Sequence, residues 1–358
     1  MNESMVNRDG VDMTLIELTD APLGVARYRL AALPTPLHAL SSLRQFLGET
    51  SPEIWIKRDD LTGVALGGNK ARKLEYLLAD ARSKWATVVI TCGAAQSNHA
   101  LQTAAVAGRV GFKVVCVLDG PEPDGPPAGN LLLHRYVGTH IVWASLQPGE
   151  TRREQARRRT MASEAAHLRT LGETPYIIPT GGSVAVGSLG YVQAVGELLE
   201  QMASGGIGPF NAVYFAFGSG GTQAGIEVGA RKYGWSTRLV GVDVDYIAPD
   251  SSGTRPFHRA IVNLVRKTAD LAGLDRAIRA SEIELNSEYA GPAYGVSTAE
   301  GEEAMRLLAL TEGIFLDPVY SGKAFSALLG EIRAGRYAAQ DKVLFWHTGG
   351  VAGLFAPH

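Results

Sequence analysis

Five stretches of the chain concentrate the residue types that do chemistry. In Leu66–Lys73 (LGGNKARK), Lys70 follows a Gly-Gly-Asn turn and opens a stretch with helical character. A lysine is ordinarily a solvated charge. At a helix N-terminus beside other cations its pKa is expected to fall, which suits an amine that must attack a carbonyl. In Thr91–Gln102 (TCGAAQSNHALQ) a strand end runs into a helix, so Gln96, Ser97 and Asn98 present side chains and free backbone N–H groups at the helix start. That pattern can seat a carboxylate, and it is equally the pattern of an ordinary N-cap. His99 reads as a residue that begins the helix, with no chemical role. In Phe217–Gly225 (FGSGGTQAG) the run Gly218, Ser219, Gly220, Gly221 and Thr222 follows the apolar AVYFAF. Such a turn exposes N–H groups to a phosphate, or is simply a tight link between strand and helix. It is neither G-x-G-x-x-G nor a Walker A loop, because no GK[ST] follows. Finally, Asp317–Lys323 (DPVYSGK) and His347–Gly350 (HTGG) each set a hydroxyl beside glycine after an apolar run.

These loops need elements to hold them. The runs Thr87–Thr91, Lys113–Leu118, His140–Trp143, Ala212–Phe217, Leu239–Val244 and Val343–His347 are short, apolar and rich in β-branched residues. Lacking polar alternation, they read as strands buried on both faces. Between them, Ala71–Lys84, His99–Val110, Val184–Ser204 and Thr298–Glu312 have helical spacing or composition. Strand and helix in succession predict an α/β fold with parallel sheets. Asp119–Asn130 (DGPEPDGPPAGN) is the clearest loop. Gly181–Ser183 reads as a turn that could also line a site. Tyr246–Ala280, with its PDSSGTRP stretch, carries no recognisable chemistry.

Composition narrows the function classes. The 358 residues suffice for two subdomains, and 46% hydrophobic with 20% charged residues is ordinary for a globular protein. A formal net charge of −2 gives no global pull towards nucleic acid or an anionic membrane. The arginines of Glu150–Arg169, at 152, 153, 157, 158, 159 and 169, are interspersed with Glu154 and Glu164 and read as a solvated helix face. Two cysteines, Cys92 and Cys116, fit a reducing compartment rather than a disulfide framework. The first dozen residues lack an apolar signal core, and no stretch reaches the roughly 18 apolar residues of a membrane span. The expectation is a soluble, cytoplasmic protein acting on a small molecule, without a metal site, nucleic-acid partner or membrane partner. No internal repeat or low-complexity tract is present.

Together, KRDDLTG, GGNKARKLEYLLADA, QSNHALQ, GSGGTQAG, GPAYGVST, EGIFLDPVYSGKA and HTGG occur in an order that resembles the fold-type-II pyridoxal-phosphate (PLP) enzymes. The similarity is to the branch holding 1-aminocyclopropane-1-carboxylate deaminase and D-cysteine desulfhydrase, and it spans the chain from about Leu30 onwards. It implies that Lys70 carries the cofactor as a Schiff base, with Asn69 beside it. It implies that Ser97 and Asn98, alongside Gln96, face the substrate carboxylate and the cofactor's ring hydroxyl. Gly218, Ser219, Gly220, Gly221 and Thr222 would hold the phosphate. Tyr294 and Tyr320 would shape the pocket and assist proton transfer.

In the deaminase pattern a glutamate follows the DPVY tyrosine and a leucine replaces the threonine of HTGG; here those positions are Ser321 and Thr348. A neutral hydroxyl opposite the pyridine nitrogen leaves a weaker electron sink than a carboxylate does. That is enough to eliminate a good leaving group from Cβ rather than to open a cyclopropane ring. The expected reaction is therefore β-elimination from a small amino acid, D-cysteine first, giving pyruvate, hydrogen sulfide and ammonium. Cysteate sulfo-lyase, then the cyclopropane deaminase, are the alternatives, and a non-catalytic α/β binding protein is the alternative of another class. A nicotinamide-dependent dehydrogenase is disfavoured by the missing fingerprint. The resemblance further implies two α/β subdomains and a homodimer. Residues 1–71 and 181–358 would form the larger, PLP-binding subdomain, and 72–180 an inserted smaller one that closes on substrate.

Overall fold

The computed structural model describes residues 18–20, 23–150, 152–245, 256–275 and 278–356. A short hairpin-like pair, β1 (Leu18–Asp20) and β2 (Ala26–Tyr28), is followed by β3 (Leu37–Ala39), α1 (Ser41–Leu47), β4 (Glu53–Arg58) and α2 (Lys70–Ser83). Next come β5 (Val88–Gly93), α3 (Asn98–Arg109), β6 (Lys113–Asp119), α4 (Gly129–Tyr136), β7 (His140–Ala144), α5 (Arg153–Thr170) and β8 (Pro175–Ile178). The remainder alternates more regularly: α6 (Ala185–Ser204), β9 (Ala212–Phe217), α7 (Gly221–Lys232), β10 (Arg238–Asp243), α8 (Pro256–Leu271) and β11 (Glu284–Asn286). Helices α9 (Ala299–Glu312) and α10 (Ser321–Arg333) precede β12 (Lys342–His347).

Two sheets organise these elements. One has six strands in the order β11-β10-β9-β12-β4-β3, parallel except where β3 pairs antiparallel with β4. The other has four parallel strands in the order β7-β6-β5-β8. Every residue of β5 and of β9 is buried, as expected for strands covered on both faces. Alternate residues serve opposite cores. Tyr214 and Ala216 of β9 pack with Ile54, Ile56, Phe325 and Phe345, while Val213 and Phe215 pack with Tyr191, Leu344 and Trp346.

Parallel pairing brings strand C-termini to one edge. In register, Phe345 of β12 lies opposite Tyr214 of β9 and Ile56 of β4. Ligands of open α/β sheets bind outside such an edge, and here the loops after β4, β9 and β12 carry Lys70, Gly218–Thr222 and Thr348.

The structure refines several boundaries. Helix α2 begins at Lys70 rather than Ala71, so the lysine is itself the first helical residue. Asn130, expected in a loop, already belongs to α4, whereas Thr298 caps α9 through a bond from Gly301 N to its Oγ1 at 3.0 Å. Cys92 and Cys116 are buried free thiols. Among the described residues no helix is long and apolar enough to cross a membrane. The PDSSGTRP stretch, 249–256, lies outside the described residues except for its last position.

Candidate active site

Lys70 is fixed from below by a strained, closely packed turn. Gly67 and Gly68 take φ +77° and +130°, and a Cβ on Gly67 would sit 1.6 Å from Asp60 O. No other residue type fits that approach. Thr62 Oγ1 accepts from Gly68 N at 2.8 Å and donates to Gly68 O at 3.0 Å. Asn69 N donates to Thr348 O at 3.0 Å, which ties the lysine turn to the loop after β12. The Lys70 side chain is half-buried, and Nζ donates to Asn69 Oδ1 at 2.7 Å. Burial pulls its pKa from 10.5 down to about 8, against the opposing charge of Asp317. The depression expected from the sequence is thus present, but its cause is desolvation rather than neighbouring cations.

Helix α3 approaches the same turn. Gln102 Nε2 donates to Gly67 O at 2.9 Å, and the positive charges of Lys70 and Lys73 reinforce the burial that keeps the His99 pKa well below its usual value. His99 is therefore neutral, with Nε2 2.8 Å from the Thr91 hydroxyl. Ser97 is the N-cap, its Oγ accepting from Ala100 N at 3.2 Å. The cap and the carboxylate seat are compatible readings, because the serine O–H stays available to donate. Asn98 Oδ1 accepts from Asn130 Nδ2 at 2.7 Å. Gln96 is more committed than its sequence position suggests: its amide donates to Ala128 O at 3.1 Å and accepts from Asn130 N at 2.7 Å. It holds the following loop, and Asn130, which the sequence did not flag, organises both Gln96 and Asn98.

The glycine-rich turn lies beyond Lys70. Gly220 adopts φ +88° as the cap of α7, and Asn69 Nδ2 donates to Thr222 Oγ1 at 2.9 Å. Ser183 Oγ lies 2.7 Å from Ser219 Oγ and accepts from Gly221 N at 3.0 Å, so the Gly181–Ser183 turn lines this site. A Cβ on Gly221 would come within 2.8 Å of Lys73 Nζ. Lys73 is buried, and burial followed by the charge of Lys70 holds its pKa well below the ordinary lysine value. Its Nζ donates to Gly181 O at 3.2 Å, the one hydrogen bond it makes among the described residues.

The remaining wall comes from the start of α10. Tyr294 and Tyr320 share a short hydroxyl–hydroxyl bond, with ring centroids 5.8 Å apart and planes at 72°. Burial raises both phenol pKa values, that of Tyr320 well above its ordinary level. Gly218 faces this pair: a Cβ there would be 3.4 Å from Tyr320 Cε1. Ser321 is buried, donating to Asp317 Oδ1 at 2.5 Å and accepting from Asp317 N at 2.8 Å. Asp317 also accepts from the backbone of Val319, Tyr320 and Ser321. Thr348 is buried.

A family model described as pyridoxal-phosphate dependent enzyme matches residues 28–349. The chain belongs to that family. It is 39% identical over 353 residues to a D-cysteine desulfhydrase of Salmonella choleraesuis (strain SC-B67), covering 97% of this chain and 99% of that one. A D-cysteine desulfhydrase of Klebsiella pneumoniae (strain 342) is 40% identical over 352 residues with the same coverage. A crystal structure of an ACC deaminase homologue superposes with a TM-score of 0.80 at 37% identity, over 92% of this chain and 94% of the other. A threonine deaminase structure at 20% identity and a TM-score of 0.60 shares the fold.

The residues present suit PLP. Lys73 is buried with hydrogen-bonding capacity to spare, and its amine lies at the N-terminus of the twelve-residue helix α7, beside Gly221. Its charged form is costly there until an anion joins it, so a bound phosphate would favour the ammonium. A phosphate seated there would meet the helix N–H groups and the lysine together. The sequence did place Lys73 in the same motif; the signal for its role is the spacing of three from Lys70, which puts both amines on one helix face. Among the described residues no group of three or more His, Cys, Asp or Glu side chains is placed to hold a metal ion.

Proposed function

We propose that this PLP enzyme is a carbon–sulfur lyase that eliminates sulfide from D-cysteine, yielding pyruvate, hydrogen sulfide and ammonium. The observation that carries the substrate is the near-full-length similarity to two D-cysteine desulfhydrases at 39% and 40% identity. The geometry supports the reaction class. PLP, when bound, supplies an electron sink for the pair left by a departing Cα proton.

Lys70 is the residue we assign to carry the cofactor and then to act as base at Cα, because a pKa of about 8 leaves its amine accessible near neutrality. Ser97 and the N–H groups of α3 are assigned to the substrate carboxylate, and Asn98, whose amide oxygen is held by Asn130, to the cofactor ring. Gly218–Thr222 and Lys73 take the phosphate. Both tyrosines are protonated at neutral pH, as any ordinary phenol is, and burial raises their pKa values further. One phenol donates to the other, which leaves a single O–H to protonate the departing thiolate. Ser321 spends its proton on Asp317, and Thr348 offers a neutral hydroxyl. Neither supplies the carboxylate that the deaminase pattern places near the ring nitrogen.

The alternative leaving group, sulfite from cysteate, needs a free cation near Cβ. The electrostatic influence of Arg157 reaches both tyrosines. Its guanidinium, however, is held by Asp119 in a two-point pair, with Nε 2.7 Å from Oδ1. That neutralisation favours a thiol over a sulfonate. The proposal includes an enzyme that works as a homodimer, with 72–180 closing on 1–71 and 181–358. Assays of sulfide, sulfite and 2-oxobutyrate on D-cysteine, both cysteate enantiomers and 1-aminocyclopropane-1-carboxylate separate the readings. Sulfide from D-cysteine is expected to dominate, and a faster release of sulfite or 2-oxobutyrate would replace this reading with a competitor.

A further inference from the structure

Lys323, the third residue of α10, is fully buried, and its ammonium has no part in the chemistry above. Its surroundings are made of backbone. Nζ donates to Ala290 O at 2.6 Å and to Ala293 O and Val244 O at 3.2 Å each. Three acceptors match the three donors of an ammonium. Burial pulls its pKa down, opposed by the Asp245, Asp243 and Asp317 carboxylates. Between the two alanines, Gly291 takes φ +73°, and a Cβ there would lie 3.6 Å from Nζ. The chain thus winds around the charge, and the next residue after Ala293 is Tyr294.

This segment has little else to hold it. Tyr294 and Val296 are 40% and 46% exposed, so apolar burial contributes modestly there. Helix α10 grips it twice, through the Tyr320 hydroxyl on the phenol and through Lys323 on the backbone. Without the ammonium, three carbonyl dipoles would converge on one point with no donor between them.

We propose that Lys323 is a positioning residue for the reaction: its ammonium, seated among the Val244, Ala290 and Ala293 carbonyls, fixes the backbone before Tyr294 and so aims that phenol. The inference rests on the assignment of Tyr294 to the site made above.

Lys323→Met keeps the side-chain length without the charge, and Lys323→Ala opens the carbonyl cradle. Both are compared as holoenzymes with the unaltered protein. Each is expected to retain the visible absorbance of lysine-bound PLP and a KM within about twofold. A displaced phenol should lower kcat by about 10- to 100-fold. Amide hydrogen exchange over 290–296 should accelerate in both. Potassium, a cation of ammonium size, should slow that exchange and raise kcat in Lys323→Ala, whereas lithium should not; Lys323→Met, whose cradle is filled, should ignore both ions. Unchanged exchange and kcat in Lys323→Met would overturn the proposal. So would a Lys323→Ala protein whose exchange and kcat are indifferent to potassium. If Lys323→Ala does not fold, the exchange rate of Lys323→Met over 290–296 decides. An unaltered protein without sulfide release from D-cysteine would remove the functional reading, while the exchange measurements would still judge Lys323.

Discussion

At the scale of single residues, the half-buried amine of Lys70 is the centre of the account. Its pKa of about 8 means that the neutral, nucleophilic form persists roughly down to that pH, instead of being lost below 10.5 as in a solvated lysine. Cofactor-free protein mixed with PLP should therefore take it up at a rate that is flat above pH 8 and falls about tenfold per unit below it. Following the visible absorbance after mixing across pH 6 to 11 checks this, and an inflection above pH 10 would contradict the burial argument. The candidacy of Lys70 was legible only through the ordered set of motifs around it, since a lysine after a Gly-Gly-Asn turn reads by itself as a solvated charge. The cause of its shift was not, since desolvation depends on what packs over a side chain. The same limit applies at Gln96, whose partners Ala128 and Asn130 lie more than 30 positions along the chain.

At the scale of elements, helix α2 must hold Lys70 in register with three strands, and a buried charge network does so. Arg72, one half-turn beyond Lys70, pairs with Asp59 at 2.8 Å and with Glu197 of α6 at 2.8 Å. Asp59 also accepts from Tyr191 at 2.5 Å and from Trp346 of β12 at 2.9 Å. Burial opposes its ionisation, and Arg72 overcomes that, holding the carboxyl at about 2. Removing one member strands the others. Arg72→Leu should lower the unfolding free energy by about 3–5 kcal/mol. Lys84→Ala should change it by less than about 1 kcal/mol, because its pair with Asp80 is exposed on the same helix. Denaturant titration of both variants checks the contrast, and equal small losses would contradict it. This network was invisible in the sequence, where KRDD reads as four hydrophilic residues. Strands β5, β6, β7, β9, β10 and β12 and helices α2, α3, α6 and α9, by contrast, were legible from apolar runs and helical spacing. The three-residue strands β1, β2, β3 and β11 were not, since so short a stretch carries no period.

At the scale of the whole molecule, ordered motifs spread from about Leu30 to Gly350 announced one fold, and the two sheets explain their order. The loops that follow β4, β9 and β12 meet at a shared edge, and α3 brings Ser97 and Asn98 from the four-stranded sheet. Chemistry drawn from segments some 280 residues apart needs this topology, and no local pattern contains it. The formal charge of −2 implies no long-range steering of an anionic substrate, so recognition rests on these loops. The central claim is that Lys70 carries PLP for sulfide elimination from D-cysteine. The most direct measurement pairs sulfide release with the visible spectrum, for the unaltered protein and for Lys70→Ala. Sulfide together with pyruvate, and a lysine-bound PLP band, are expected in the first. Both should be lost in the second, with a fall in rate of at least about 1,000-fold. Undiminished sulfide release or an unchanged band in Lys70→Ala would contradict it.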